Sequence, residues 1–180
     1  MTDSLVLTII GRDRPGLVES VARVVSDHDG NWLESRMAQL GGQFAGILRV
    51  TVPAERADAL ERALRGLDSA GLDVVVSRAP VDPPPQAARR VQLELLGHDR
   101  PGIVREISTS LAAHGVNVSE LWTECRSAPM SGEMLFAARV ELETGPEQSL
   151  DELRETLERI AHDLMVDITL DETPESALAG

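Results

Sequence analysis

Hydrophobic and polar residues alternate from the first few positions of the chain. Leu5, Leu7 and Ile9 share one face of an extended segment that stops at Gly11, the pattern of a half-buried strand. Past Gly16 the period changes: Leu17, Val18, Val21, Val24 and Val25 recur at helical spacing and predict an amphipathic helix. Pro15 is expected just inside the start of that helix, where its missing N–H costs nothing, with Asp13 close enough to cap the helix or complement its dipole. His28-Asp29-Gly30 is the expected stop, glycine being the usual terminating residue. Asn31 to Leu40 and Phe44 to Val52 flank Gly41-Gly42 and read as a hairpin. Leu60, Leu64 and Leu67 mark a second helix, and Leu72 to Val76 a closing strand.

The same pattern then recurs. Gly11-Arg12-Asp13-Arg14-Pro15-Gly16-Leu17-Val18 matches Gly97-His98-Asp99-Arg100-Pro101-Gly102-Ile103-Val104 at an offset of 86, which also pairs His28 with His114, Asn31 with Asn117 and Glu34 with Glu120. Val91, Leu93 and Leu95 repeat the first strand; Ile103, Val104, Ile107 and Leu111 repeat the first helix, with Pro101, Asp99 and His114-Gly115 in the flanking roles. Val118 to Arg126, Met134 to Leu142, the helix through Leu150, Leu153, Leu157 and Ile160, and Val166 to Leu170 complete the copy. Arg49-Val50 pairs with Arg139-Val140 at an offset of 90, so the second copy carries about four extra residues, most simply in a turn around Ser127 to Ser131.

Strand, helix, strand, strand, helix, strand is the ferredoxin-like βαββαβ plan, so the expected fold is α+β: two tandem units, each an antiparallel sheet with both helices on one face. The expected domains are residues 1–79 and 90–172, a stiff proline-rich linker over 80–89 containing Pro83-Pro84-Pro85, and a tail over 173–180. A unit of about 75 residues buries only about 60% of its unfolded surface, so each copy is expected to need a partner for its bare sheet face or edge, either the other copy or another chain.

Composition narrows the chemistry. All 17 basic residues are arginine, which excludes a Walker-type phosphate lysine, a Schiff-base lysine and pyridoxal phosphate anchoring. The aromatics are Trp32, Phe44, Trp122 and Phe136, too few for a base-stacking platform, and a formal charge of −13 repels phosphate backbones. Direct nucleic-acid binding is therefore not expected. Neither a long apolar run nor a charged-then-apolar N-terminus occurs, and one cysteine cannot form an internal disulfide; a cytoplasmic protein without membrane contact is expected.

With Asp-Arg-Pro-Gly after the first strand and Asn opening the second, each copy resembles an ACT domain, a small-molecule sensing module that typically regulates amino-acid metabolism. Gly11 to Gly16 together with Asn31-Trp32-Leu33-Glu34-Ser35-Arg36-Met37-Ala38-Gln39-Leu40-Gly41 resembles more narrowly the glycine cleavage system transcriptional repressor family, stand-alone tandem ACT proteins. The chain departs from that family at Trp32, where Ile is frequent. The resemblance implies a protein that responds to a small amino acid such as glycine and restrains a partner transcriptional regulator by protein contact; the expected assembly is a homodimer, with sheets associating within a chain, between chains, or both. An alternative is the regulatory subunit or allosteric sensor of an amino-acid metabolic enzyme. A third, an enzyme in its own right, is disfavoured because the two repeats consume the chain.

The ligand site is expected at Asp13, Arg14, Gly16, Leu17 and Asn31 in the first copy and Asp99, Arg100, Gly102, Ile103 and Asn117 in the second. The helix start would offer N–H donors to a carboxylate, and the Asn amide, both donor and acceptor, suits the rest of a zwitterion. The plainer reading is a ligand-free helix start and an Asn that tolerates a turn. His28 and His114 either close the same pocket or simply end a helix. His98 has Arg12 as its counterpart, and His162 is expected after the second helix. No metal-ligand spacing, nucleophile elbow or dinucleotide loop occurs, so no catalytic residue, metal or cofactor is expected. Cys125 is expected to be a buried small hydrophobe, and Glu152 and Glu155 part of a solvated helix face.

Overall fold

The alternating residues of the first strand become the centre of a sheet. In the computed structural model, which describes residues 1–79, 89–128, 132–146 and 148–172, β1 (Thr2–Arg12) pairs antiparallel with β3 (Gln43–Pro53) and with β4 (Leu72–Ala79), and β2 (Asn31–Leu40) pairs with the far side of β3. The strand order is therefore β2-β3-β1-β4. Leu5, Leu7 and Ile9 are fully buried and pack with Leu17, Val21 and Val25 of α1 (Leu17–Asp27) and with Leu60 and Leu64 of α2 (Ala57–Arg65). Each fully buried aliphatic side chain stabilises by about 1.5–3 kcal/mol, so this one face supplies most of the unit's driving force. The other face has no such cover, and Ile10, Ile47 and Val75 remain 48%, 55% and 64% exposed.

The second unit repeats the arrangement. β5 (Arg89–His98) lies between β7 (Met134–Thr144) and β8 (Val166–Glu172), β6 (Asn117–Ser127) is an edge, and the order is β6-β7-β5-β8. Its core joins Val91, Leu93 and Leu95 to Ile103, Ile107 and Leu111 of α3 (Ile103–Ala113) and to Leu153 and Leu157 of α4 (Leu150–Leu164). The equivalent edge strands β2 and β6 carry the same bulge: pairing to the neighbour slips between Trp32 and Glu34 in β2 and between Val118 and Glu120 in β6. The repeat thus extends to an irregularity that periodicity does not reveal.

Several local expectations change. Pro15 and Pro101 lie before the helices, because Gly16 and Gly102 take the N-cap positions in left-handed conformation, with φ of 90° and 100°. That conformation breaks the helical path between the proline and the first helical residue. Asp13 and Asp99 do not cap: neither α1 nor α3 has a side-chain cap bond. At the end of α1 the left-handed residue is Asp29, at φ 56°, where the second unit uses Gly115. Gly30 serves a close approach instead, since a Cβ there would stand 2.8 Å from Val25 Cγ1. Leu67 falls beyond α2, in the 3-10 turn Gly66–Ala70, and His162 lies inside α4 rather than after it.

The second copy's extra length is in the β6–β7 connection. Strand register places Arg126 and Leu135 where Leu40 and Gln43 pair across Gly41-Gly42, and Leu142 rather than Val140 in the position of Val50, so the connection is six residues longer, not the four that the Arg49-Val50 match suggested. Residues 129–131 of that turn lie outside the described residues, as do 80–88 of the expected linker and the tail 173–180. Arg89, expected in the linker, is the first residue of β5.

Candidate functional site

The loop between β1 and α1 is built by its backbone. Asp13 N donates to Gly42 O of the β2–β3 turn (2.9 Å), which fixes where the chain leaves the sheet. Gly16 then turns the chain into α1, and its carbonyl accepts from both Ser20 N (2.9 Å) and Ser20 Oγ (2.8 Å). The N–H groups of Leu17, Val18 and Glu19 precede this first intrahelical bond and receive no side-chain cap, so they remain available to an acceptor at the positive end of the helix dipole. An open hollow of about 490 Å³ faces them, lined by Asp13, Arg14, Gly16, Leu17, Val18, Glu19 and Phe44.

Four of the five residues expected to bind ligand in the first copy therefore meet in one place. Leu17 is buried, so the core takes its side chain and only its backbone can serve a ligand. Arg14 has a structural role that its sequence position did not disclose: its guanidinium donates to Ala70 O at the end of the 3-10 turn and tethers the loop to the second helical segment. Val18, Glu19 and Phe44 are additions to the expected set. Phe44 lies next to the β2–β3 turn, which the sequence could not bring to this loop without the strand register.

The second unit repeats the construction. Asp99 N donates to Met134 O (2.9 Å), Glu106 N donates to Gly102 O (2.9 Å), and Arg100 reaches Asp163 O near the end of α4 (3.4 Å). Ile103, like Leu17, is buried.

Asn31 and Asn117 do not join these loops within their own units. Asn31 is opposite Thr51, and Thr51 is opposite Ser4, at the start of β1; the loop follows Arg12 at its other end. Eight residues of strand separate the two levels, about 26 Å at 3.3 Å per residue. In the second unit Asn117 pairs with Glu143, which pairs with Arg90, again eight residues short of His98. The cause is topological. β1 and β2 are each antiparallel to β3 and so run the same way, and a loop that follows one strand cannot meet the residue that opens the other. One small amino acid cannot span that separation.

His28 and His114 stand at helix ends. His28 caps α1 with Nδ1 2.8 Å from Val24 O, and His114 caps α3 with Nδ1 2.8 Å from Ser110 O and Nε2 3.5 Å from Thr156 Oγ1. These bonds occupy the rings with backbone closure. His98 lies 3.8 Å from Glu133. Cys125 is exposed rather than buried, because β6 is an edge strand whose outer positions have no layer over them. Desolvation, followed by the charge of Asp99 and a hydrogen bond to it, pushes the thiol pKa up, which disfavours the thiolate. Glu152 and Glu155 are exposed on α4, as expected.

The arrangement at the first loop suits a zwitterion. Helix N–H groups favour a carboxylate, while Asp13 and Glu19 on the same hollow favour an ammonium. Among the described residues no group of three or more His, Cys, Asp or Glu is placed to hold a metal ion, and no helix is long and apolar enough to cross a membrane.

Comparison with known proteins follows the same two-unit division. The model of the ACT domain family matches residues 3–77 and again 89–171. The chain is 29% identical over 149 residues to the glycine cleavage system transcriptional repressor of Escherichia coli K12, covering 82% of this chain and 77% of that protein. A crystal structure of a protein of unknown function from Galdieria sulphuraria is 33% identical, with a TM-score of 0.81 over 96% of this chain and 99% of its own. A second crystal structure, of a candidate glycine cleavage system transcriptional repressor, shares the fold at 21% identity and a TM-score of 0.70, covering 96% of this chain and 98% of its own.

Proposed function

The chain belongs to the ACT domain family, and we propose that it is a cytoplasmic regulator that binds a small amino acid, glycine or one close to it, and controls a partner transcriptional regulator by direct protein contact. The observation that carries this reading is the hollow at the β1–α1 loop, where uncapped helix N–H groups and the carboxylates of Asp13 and Glu19 face the same space. The ligand carboxylate accepts from the helix start and the ammonium donates to a carboxylate, so both ends of a small zwitterion have partners. The similarity to the Escherichia coli repressor supports the regulatory role. The acidity of the chain supports a protein partner over a direct hold on DNA.

Asn31 and Asn117 contribute to such a site only where they meet the loop of a unit other than their own. The uncovered sheet face around Ile10, Ile47 and Val75 gives a second copy apolar surface to bury, so a homodimer fits the same reading. A thermal-shift screen of the amino acids on the intact protein tests ligand binding, because a ligand that binds only the folded state raises the midpoint by mass action. Glycine or a close relative is expected to raise it; no shift with any amino acid would leave these domains as association modules. A pull-down with the intact chain then separates a transcriptional regulator from an amino-acid metabolic enzyme as the partner.

A further inference from the structure

The two units differ most on the side of the sheet that no helix covers. Directly paired residues of antiparallel strands share a face, so the register sets this side out in rows across all four strands. In the first unit the middle row is Val75, Thr8, Ile47 and Arg36. In the second it is Thr169, Glu94, Arg139 and Trp122. The row on one side of it changes Arg49 to Glu141 and Ser77 to Asp171, and the row on the other changes Ala38 to Glu124. Over these three rows the first unit carries Arg36 and Arg49 against Glu34 and Asp73 and is neutral. The second carries one arginine against six carboxylates, a net charge of −5. Both units have the same strand order and the same helix-covered core, so the fold itself does not require this difference.

The first face is suited to burial against its own copy. Ile10, Ile47 and Val75 are at least 48% exposed on it, and Arg49 is already paired with Glu34 at 2.8 Å, so that charge needs no outside partner. Its strands are eight to eleven residues long. At about 3.3 Å per residue and about 4.8 Å between strands they make a face of about 500–700 Å². Two such faces remove about 1,000–1,400 Å² from water, which clears the roughly 1,000 Å² expected of a specific interface. A two-fold axis sets each face against itself. A neutral apolar face meets that condition, whereas a face at −5 repels its own copy. Leu96, the counterpart of Ile10, stands in a row that ends in Asp167 on one edge and Glu124 on the other.

We propose that two copies of the chain associate through the open sheet faces of their first units alone, packed face to face about a two-fold axis, and that the second unit's sheet face takes no part. This assigns a surface to the homodimer of the proposed function and rests on that reading. It makes the two repeats unequal: one is the association module, and the other keeps its charged face in water.

Sedimentation velocity of the intact protein across a concentration series tests this. The wild type is expected to sediment as a dimer. Giving the first face the residues of the second, as Thr8→Glu, Ile47→Arg, Arg49→Glu and Ser77→Asp together, is expected to weaken the dimer by about tenfold or more. The second unit holds all four residues at the equivalent positions, with Arg139 paired to Glu94 at 3.2 Å, so a sheet of this kind accommodates them. Should that variant fail to fold, Ile47→Arg alone is expected to act in the same direction. Trp122→Arg, which gives the second face the residue of the first, is expected to leave the dissociation constant unchanged within about twofold. A wild type that stays monomeric at every concentration would overturn both the surface and the homodimer. A dimer that keeps its wild-type strength in the folded face variants, or one that Trp122→Arg weakens as much, would overturn the surface alone.

Discussion

Gly16→Ala offers a strict test of how the loop is built, because the cost comes from the backbone alone. Gly16 has φ 90° and ψ 1°, and a Cβ placed on it would meet no atom within 4 Å. No clash contributes, so the penalty is that of an L-residue in the left-handed region, about 1–2 kcal/mol. Gly66 provides the control within the same unit. Its φ of −68° and ψ of −11° are helical and its Cβ would also meet open space. Gly66→Ala is therefore expected to stabilise by about 0.4–1 kcal/mol through the unfolded chain. The assay is urea unfolding followed by Trp32 fluorescence in a Trp122→Phe background, so that the signal reports the first unit. The midpoint should fall for Gly16→Ala and rise for Gly66→Ala, with the slope unchanged in both. A Gly16→Ala protein as stable as the wild type, or two variants shifted equally in one direction, would refute the left-handed start of α1 and with it the free N–H groups of the proposed site.

Further outcomes follow from the same geometry. Leu60→Ala and Leu153→Ala each remove a side chain at most 1% exposed and are expected to cost about 2–5 kcal/mol, each read by denaturant unfolding of its own unit. Asn31→Ala with Asn117→Ala is expected to change stability by no more than about 0.5 kcal/mol, both side chains being exposed. Calorimetry of the double variant should find the amino acid bound more weakly if the Asn side chains meet the loop of a unit other than their own; unchanged affinity would exclude them from the site. Cys125 is expected to react with iodoacetamide more slowly at neutral pH than a free cysteine despite its exposure, because its raised pKa lowers the thiolate fraction; the rate should climb as pH rises, and Asp99→Asn should speed it. A mobility shift assay at physiological salt should detect no DNA binding by the protein alone.

The elements were legible because their apolar residues obey one period throughout, as in Leu5-Leu7-Ile9 and in Leu150, Leu153 and Leu157. The repeat multiplied that signal, since each copy checks the other. Positions decided by backbone conformation were less legible. Gly16 in left-handed form moved Pro15 out of the helix, and Asp29 took a conformation that sequence assigns more readily to glycine. Cys125 was misjudged because alternation along β6 predicts an inner and an outer face, whereas an edge strand leaves most of its residues exposed. Asp13, Arg14, Gly16 and Leu17 line one hollow because they are neighbours along the chain and the fold keeps them together. Asn31 stands apart from the loop of its own unit because proximity across a sheet depends on strand direction, which composition does not encode. Phe44 was missed for the same reason.

The central claim is that a small amino acid is held at the β1–α1 loop by helix N–H groups and a carboxylate. Titration calorimetry of glycine, serine and alanine into the intact wild type and into Asp13→Asn with Asp99→Asn tests it most directly. A charge-assisted hydrogen bond contributes about 1.5–3 kcal/mol, so removing the carboxylates should weaken binding by at least about tenfold while the fold persists, both residues being exposed. Equal affinity in wild type and variant, or no heat of binding with any amino acid, would contradict the account.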